Sequence, residues 1–234
     1  MGFLAGGAKL VHCFSMDQID AAFLARFFQA AAARLDAQRD ELCHLDGEVG
    51  DGDHGTSMAN GFAAVAGLVR GGKRASDTPD ALMRSAAAAF LGEVGATVGP
   101  LYATGMLDAA EILKTEGPLP LAKAHRFLAA LAAGIQRRGE AEPGDKTMLD
   151  AWLPAVHAAE MALSEGHPPD DALRRAVEEA RRGADGTVSM IASRGRAVRL
   201  KERSLGHKDP GAVSATLILE AFADAIGPRP DGQD

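Results

Sequence analysis

Between Asp46 and Gly55 the chain reads Asp46-Gly47-Glu48-Val49-Gly50-Asp51-Gly52-Asp53-His54-Gly55, which crowds aspartates and a glutamate onto a backbone interrupted by glycine. Carboxylates a few ångströms apart repel by roughly 1–4 kcal/mol per pair at effective dielectrics between those of water and a protein surface. A hard divalent cation removes that repulsion, and carboxylate oxygens are the ligands that Mg²⁺ and Ca²⁺ prefer. Glycine adopts backbone angles that other residues resist, so the loop can turn sharply and approach a ligand closely. Asp46, Asp51 and Asp53 are therefore candidate metal ligands. The plainer alternative is that Asp and Gly are ordinary turn residues, and that an Asp ahead of a helix is its N-cap. A calcium EF-hand fits badly. Counted from Asp51, Gly55, Thr56 and Phe62 stand where that motif has Asp or Asn, Gly and Glu. The loop suits Mg²⁺ bound jointly with another ligand, for which phosphate oxygens are the usual partner.

The elements that must position this loop read as helices. Apolar residues make up 47% of 234 residues but aromatics only 5%, and alanine runs recur at 30–33, 86–89 and 129–133. That composition favours closely packed helices over a β-sandwich. From Asp17 to Leu45 the apolar residues recur at three- and four-residue intervals, which predicts one long amphipathic helix opened by a capping box at Ser15-Met16-Asp17-Gln18. Further helices are expected at about 56–68 (ended by Gly71-Gly72), 79–94, 100–115, 121–138 and 147–165. Another starts at Pro168-Pro169-Asp170 and is separated by Gly183 from a short one near 185–193, and the last runs from Asp209-Pro210 to about Ile226. No stretch alternates with period two for long enough to make a convincing strand. The expectation is an all-α, single-domain antiparallel barrel or bundle of about eight helices spanning 16–226, with 1–15 an extension and 227–234 a frayed tail.

The net charge of −7 argues against a nucleic-acid partner. Cys13 and Cys43 are too few for a disulfide framework, which points to the cytoplasm. No apolar run is long enough to span a membrane. The first fifteen residues lack the charged region of a signal peptide.

In an up-and-down bundle every second loop lies at the same end. If the seventh and eighth helices count as one broken helix, the loops at 46–55, 95–99, 139–146 and 194–209 meet there. That end would combine carboxylates, glycines, Arg196 and helix N-termini, whose free N–H groups and partial positive charge suit phosphate. Four solvated polar loops are the alternative.

Four segments in order carry a resemblance: Gly-Asp-Gly-Asp-His-Gly at 50–55, Gly99-Pro100-Leu101-Tyr102, Glu142-Pro143-Gly144-Asp145-Lys146-Thr147-Met148, and the run from Glu202 to Ala212. Together they resemble the nucleotide-binding L subunit, or L domain, of the dihydroxyacetone kinase family, over residues 16 to 226. The resemblance implies a barrel of eight α-helices with nucleotide bound at one end. It implies that Asp46, Asp51 and Asp53 hold two Mg²⁺ ions bridging the phosphates of ADP or ATP, and that His54, Gly55, Thr56 and Ser57 contact the phosphates at a helix N-terminus. Thr97 and Val98 match a pair in a small-residue loop, Gly139 and Met148 match positions near the adenine, and Arg196, Asp209, Pro210 and Gly211 match the remaining nucleotide contacts.

Each has a plainer alternative: Met148 as core packing, Asp209-Pro210 as a cap and first turn, Arg196 as one of several solvated arginines, His54 as a packing or capping residue. The sequence also departs from the family. Ser57 replaces an asparagine, Val98 stands where a serine is usual, and Ala103-Thr104-Gly105 differs from the usual Gly-Thr. Valine cannot donate a hydrogen bond, so that contact would fall to Thr97 or to backbone N–H.

The implied function is the nucleotide half of a ketose kinase, passing a phosphoryl group to a sugar held on a histidine of a separate K subunit. In the phosphotransferase-system version ADP stays bound as a cofactor and is recharged by a phosphohistidine protein, the M subunit. In the other version ATP exchanges freely, as in split tetrulose kinases. A non-catalytic ADP–Mg²⁺ adaptor is the reading from another class, and an α-helical carrier of lipid or another small ligand is a third. No catalytic side chain is assigned, and a homodimer is left open.

Overall fold

The computed structural model describes residues 17–70, 78–95 and 97–226. Ser15 and Met16 of the expected capping box, the Gly71-Gly72 stop, the extension and the tail lie outside the described residues. The cap that does operate is Asp20, whose carboxylate accepts from Phe23 N at 2.7 Å and opens α1 at Ala21–Ala37. Ahead of it, Gln18–Ile19 form a short strand, β1, paired antiparallel with β2 at Leu119–Pro120. Strands of two residues fall below the length at which alternation can be read.

The helix expected over 17–45 is two. α1 gives way at Gln38 to α2, Arg39–Val49. Leu35 and Leu42 are both fully buried across the break, so the apolar period continues through it and hides it. α3 is His54–Val69, α4 Pro79–Glu93, α5 Val98–Glu116, α6 Ala124–Gly139 and α7 Leu149–Ser164. α8 runs without interruption over Pro169–Gly186, and α9 is Pro210–Asp224.

Gly183 is therefore not a breaker. It lies where α8 crosses α7, and a Cβ there would sit 1.8 Å from the carbonyl oxygen of Asp150. The eighth helix expected near 185–193 reduces to a 3-10 turn at Thr187–Ser189, and the segment expected to be a loop after it holds 3-10 turns over Arg196–Ser204.

Counting α1 and α2 as one bent rod, eight rods each pack on the next, and α9 returns onto α1 to close the ring. Small residues allow the close approach. At the α5–α6 crossing a Cβ on Gly134 would meet the Cα of Gly105 at 2.7 Å. Aromatic rings fill the barrel in two groups: Phe23, Phe27, Phe127 and Phe222, and Phe62, Phe90 and Tyr102. Edge-to-face pairs of this kind add about 0.5–1.5 kcal/mol beyond their burial. No helix among the described residues is long and apolar enough to cross a membrane.

Candidate functional site

Even-numbered connections do converge. Residues following α2, α4, α6 and α8 line one cavity of about 540 Å³ at one end of the barrel. His54 and Ser57 face it from the first turn of α3, and Thr97 and Val98 from the start of α5. Gly139 and Met148 line the side beneath the 139–148 loop, and Arg196, Asp209, Pro210 and Gly211 close it from the last connection and the start of α9. Gly55 and Thr56 do not line it. A Cβ on Gly55 would meet the Arg39 carbonyl oxygen at 2.0 Å, so glycine there lets α3 press against α2. The Thr56 hydroxyl is 3.5 Å from Cys43 Sγ. Three basic residues that the sequence reading did not assign to the site, Arg138, Lys146 and Arg194, also line the cavity.

The three aspartates meet: Asp46, Asp51 and Asp53 each offer an oxygen, all within 4.8 Å of one another. Asp46, in the last turn of α2, also does structural work. Its Oδ2 accepts from Asp53 N at 2.9 Å and His54 N at 3.1 Å, which caps α3 from a distance. The side chain of Asp53, at the N-cap position itself, makes no capping bond and turns instead toward Arg196. Gly50 protects the arrangement, because a Cβ there would lie 2.4 Å from Asp46 Oδ1. Gly52 takes φ +77°, which carries the loop between the carboxylates. Arg196 reaches back to pair with Asp51 and, at 3.3 Å, with Asp53. A guanidinium thus stands where a divalent cation would, and three convergent hard oxygen donors fit Mg²⁺. Glu48 lies outside the cluster and pairs with His207 Nδ1 at 2.9 Å, which holds its carboxyl below the usual range.

His54 is buried, with Nε2 2.9 Å from Ser214 Oγ, whose hydroxyl donates to the Gly211 carbonyl at 3.0 Å. Burial pulls its imidazole down to about 4, against the opposing pull of Asp46 and the Pro210 carbonyl. At neutral pH it is an uncharged ring that packs the start of α3 onto α9. Tyr102, fully buried, accepts from Trp152 Nε1 at 3.4 Å, and burial raises its hydroxyl well above the ordinary tyrosine value.

Asp209 caps α9 by accepting from Ala212 N at 2.7 Å. Burial, reinforced by Asp150 and Asp46, pushes its carboxyl up to about 7, while the Ala212 N–H and Lys146 resist. A raised folded value means that the native state holds the proton more tightly than the unfolded chain. This contribution is complete below the unfolded value near 4 and is lost as pH rises through about 7. Asp209→Asn keeps the capping oxygen and removes the titration. The metal-free variant is expected to show a flatter urea midpoint between pH 4 and pH 7 than the parent; an unchanged slope would contradict the assignment.

Two functional residues went unread in the sequence. Asp150 is buried and accepts from Gly144 N at 2.6 Å and Thr147 N at 2.8 Å, which shapes the 139–148 loop. Lys146 is buried in a left-handed conformation, φ +61°, and points into the protein. The signal was present, since a Gly-Asp-Lys-Thr run just before a helix is too polar to be chance packing, but polarity in a loop reads first as solvation.

The DAK2 domain family matches residues 48–224. The ADP-binding subunit DhaL of the PEP-dependent dihydroxyacetone kinase of Escherichia coli K12 is 35% identical over 182 residues, covering 78% of this chain and 86% of that one. The corresponding subunit of a PEP-dependent dihydroxyacetone kinase 2 of Listeria innocua is 32% identical over 208 residues, covering 89% and 96%. The solved dihydroxyacetone kinase of C. freundii, in complex with AMP-PNP and Mg²⁺, superposes with a TM-score of 0.68 at 22% identity, over 96% of this chain and 37% of that one. That likeness shows the same helical fold. A match spanning most of the chain, together with relatives of similar length, establishes that the chain belongs to the DAK2 domain family.

Proposed function

We propose that this chain is the nucleotide-binding subunit of a dihydroxyacetone-type ketose kinase, a phosphotransferase active only with a partner K subunit that carries the sugar. The observation that carries the reading is a cluster of three aspartates, two of which (Asp46 and Asp53) line one cavity together with the starts of α3, α5 and α9. Neither α3 nor α5 has a side-chain cap at its own N-cap residue. His54 N is taken by Asp46 and Pro100 has no N–H, which leaves the N–H groups of Gly55, Thr56, Val98 and Gly99 in these first turns for phosphate oxygens.

Asp46, Asp51 and Asp53 would hold two Mg²⁺ ions, which when bound neutralise charge on the phosphates. The chain's own residues do the positioning. Arg196 is within reach of both the carboxylates and any phosphate between them. Met148, Leu101 and Ile135 supply an apolar wall suited to a base. Ser57 and Val98, the departures from the family pattern, both line the cavity, so the phosphate contacts at those two positions rest on a shorter side chain and on backbone N–H.

ADP as a retained cofactor, recharged by a phosphohistidine protein, is favoured by the ADP-binding subunits of PEP-dependent kinases among relatives of similar length. Native mass spectrometry of the purified chain is expected to show ADP with two Mg²⁺. Nucleotide that washes out and is replaced by ATP would select the exchanging version. No binding at millimolar Mg²⁺–ADP would end the nucleotide reading.

A further inference from the structure

Thr187 and His207 are far apart in the sequence, yet their carbonyl oxygens accept from the same atom. Lys146 Nζ donates to Thr187 O at 2.6 Å, His207 O at 2.5 Å and Met190 O at 3.3 Å. An ammonium has three N–H donors, and here all three are used on backbone. The segment between these carbonyls leaves the barrel after α8 and returns just ahead of α9, and it carries Arg196 near its middle.

We infer that Lys146 is a positioning residue: its ammonium clasps the neck of the 187–207 segment and thereby fixes Arg196 over the aspartate cluster. The inference rests on the nucleotide reading of that cluster.

Beyond the neck the segment is tied to the neighbouring loop by Ser193 N, which donates to the Asp145 carbonyl at 3.2 Å, and to itself by Ala192 N, which donates to Ser204 Oγ at 2.9 Å. Its 3-10 turns lie on the surface, with Val198 and Leu205 exposed and Ala192 and Ser204 its main buried anchors. Gly206 N donates to Val188 O at 2.8 Å, and Asp209 N to Thr187 Oγ1 at 2.9 Å; both bonds lie at the neck beside the ammonium. The chain accepts a cost to bring the amine there. Lys146 sits at φ +61°, a region that residues with a side chain avoid and that persists only where the surroundings enforce it. Asp150 enforces it by holding the N–H groups of Gly144 and Thr147 on either side. Burial draws the ammonium below the ordinary lysine range, while Asp209 and Asp150 help to keep it charged. Lysine is suited to the task, because a compact ammonium can converge on three carbonyls and a planar guanidinium cannot.

Lys146→Gly tests this, since glycine tolerates the left-handed backbone and leaves room for a small amine. The variant is expected to bind Mg²⁺–ADP at least tenfold more weakly, with faster amide exchange across 190–205. Ethylammonium should restore both, and tetramethylammonium, which has no N–H, should restore neither. On an Arg196→Gln background the same change should weaken binding less than twofold, because the clasp then has nothing left to deliver. Equal factors on both backgrounds, or no rescue by ethylammonium, would overturn the inference.

An independent arm uses the unmodified chain, so it does not depend on the variant folding. Under limited acetylation Lys146 should label far more slowly than the partly exposed Lys208, and in step with exchange of the Gly206 amide. Labelling of Lys146 at the Lys208 rate would refute the clasp. If the parent chain binds no Mg²⁺–ADP, the nucleotide reading fails, while acetylation and amide exchange still decide the clasp.

Discussion

Asp51→Asn is expected to lower the affinity for Mg²⁺–ADP by at least about a hundredfold, roughly 2.7 kcal/mol, while leaving the thermal midpoint of the metal-free chain unchanged. The Asp51 side chain is 52% exposed, and its ion pair is with Arg196, an exposed contact that contributes little to stability. On the proposed reading its loss removes a metal ligand and leaves the fold intact. Asp46→Asn should behave differently. That carboxylate accepts from Asp53 N and His54 N, and hydrogen bonds to a charged group contribute about 1.5–3 kcal/mol against about 0.5–1.5 for neutral ones. The Asp46 variant should therefore lose binding and also melt several degrees lower, at about 2–4 °C per kcal/mol for a chain of this size. Isothermal titration with Mg²⁺–ADP and calorimetry in metal-free buffer separate the two effects. Parent-like binding by Asp51→Asn would remove the assignment of the metal ligands.

Gly183→Ala is expected to produce a large loss of stability without touching the cavity lining. The new Cβ would need space 1.8 Å from the Asp150 carbonyl oxygen. The obstruction is backbone, so α8 must shift away from α7, its most extensive packing partner. Overpacking of this kind costs about 1–3 kcal/mol and sometimes more, which corresponds to a midpoint lower by roughly 2–12 °C. Nucleotide affinity should fall as well, because Asp150 also organises the loop that carries Lys146. Gly186→Ala is the control. Nothing lies within 4 Å of a Cβ there, and the helix gains about 0.5–1 kcal/mol from losing a glycine. If the two substitutions melt alike, the close crossing is not what holds this end of the barrel.

These two glycines show where the sequence could be read and where it could not. The helices were legible because burial follows their period, and the shared end of the loops followed from alternation once the stretch from 168 to 193 counts as one helix. Gly183 was misread as a break because a glycine that ends a helix and one that lets a second helix approach look the same in one dimension. The bend at Gln38 was invisible for the opposite reason: the apolar period runs through it. Among the site residues, Asp51 and Asp53 could be picked out by crowding of charge. The double role of Asp46 could not, because its hydrogen bonds go to a helix that begins after the loop has turned. Gly55 and Thr56 adjoin the site in sequence but face α2, since successive residues of a helix point in different directions. Lys146 owes its role to carbonyl groups, which every residue has and no sequence pattern marks.

The small β1–β2 pairing has a practical outcome for anyone handling the molecule. α5 carries the chain roughly 28 Å, at about 1.5 Å per residue, from its start beside the cavity to the neighbourhood of β2. β1 is therefore at the opposite pole, and so is the end of α9, where Arg26 Nε donates to the Ala225 carbonyl. Residue 17 and residue 226, the first and last described, both emerge there. A biotin handle or surface tether attached at residue 17 or residue 226 would leave the mouth of the cavity facing solution, which suits immobilised binding measurements with soluble partners.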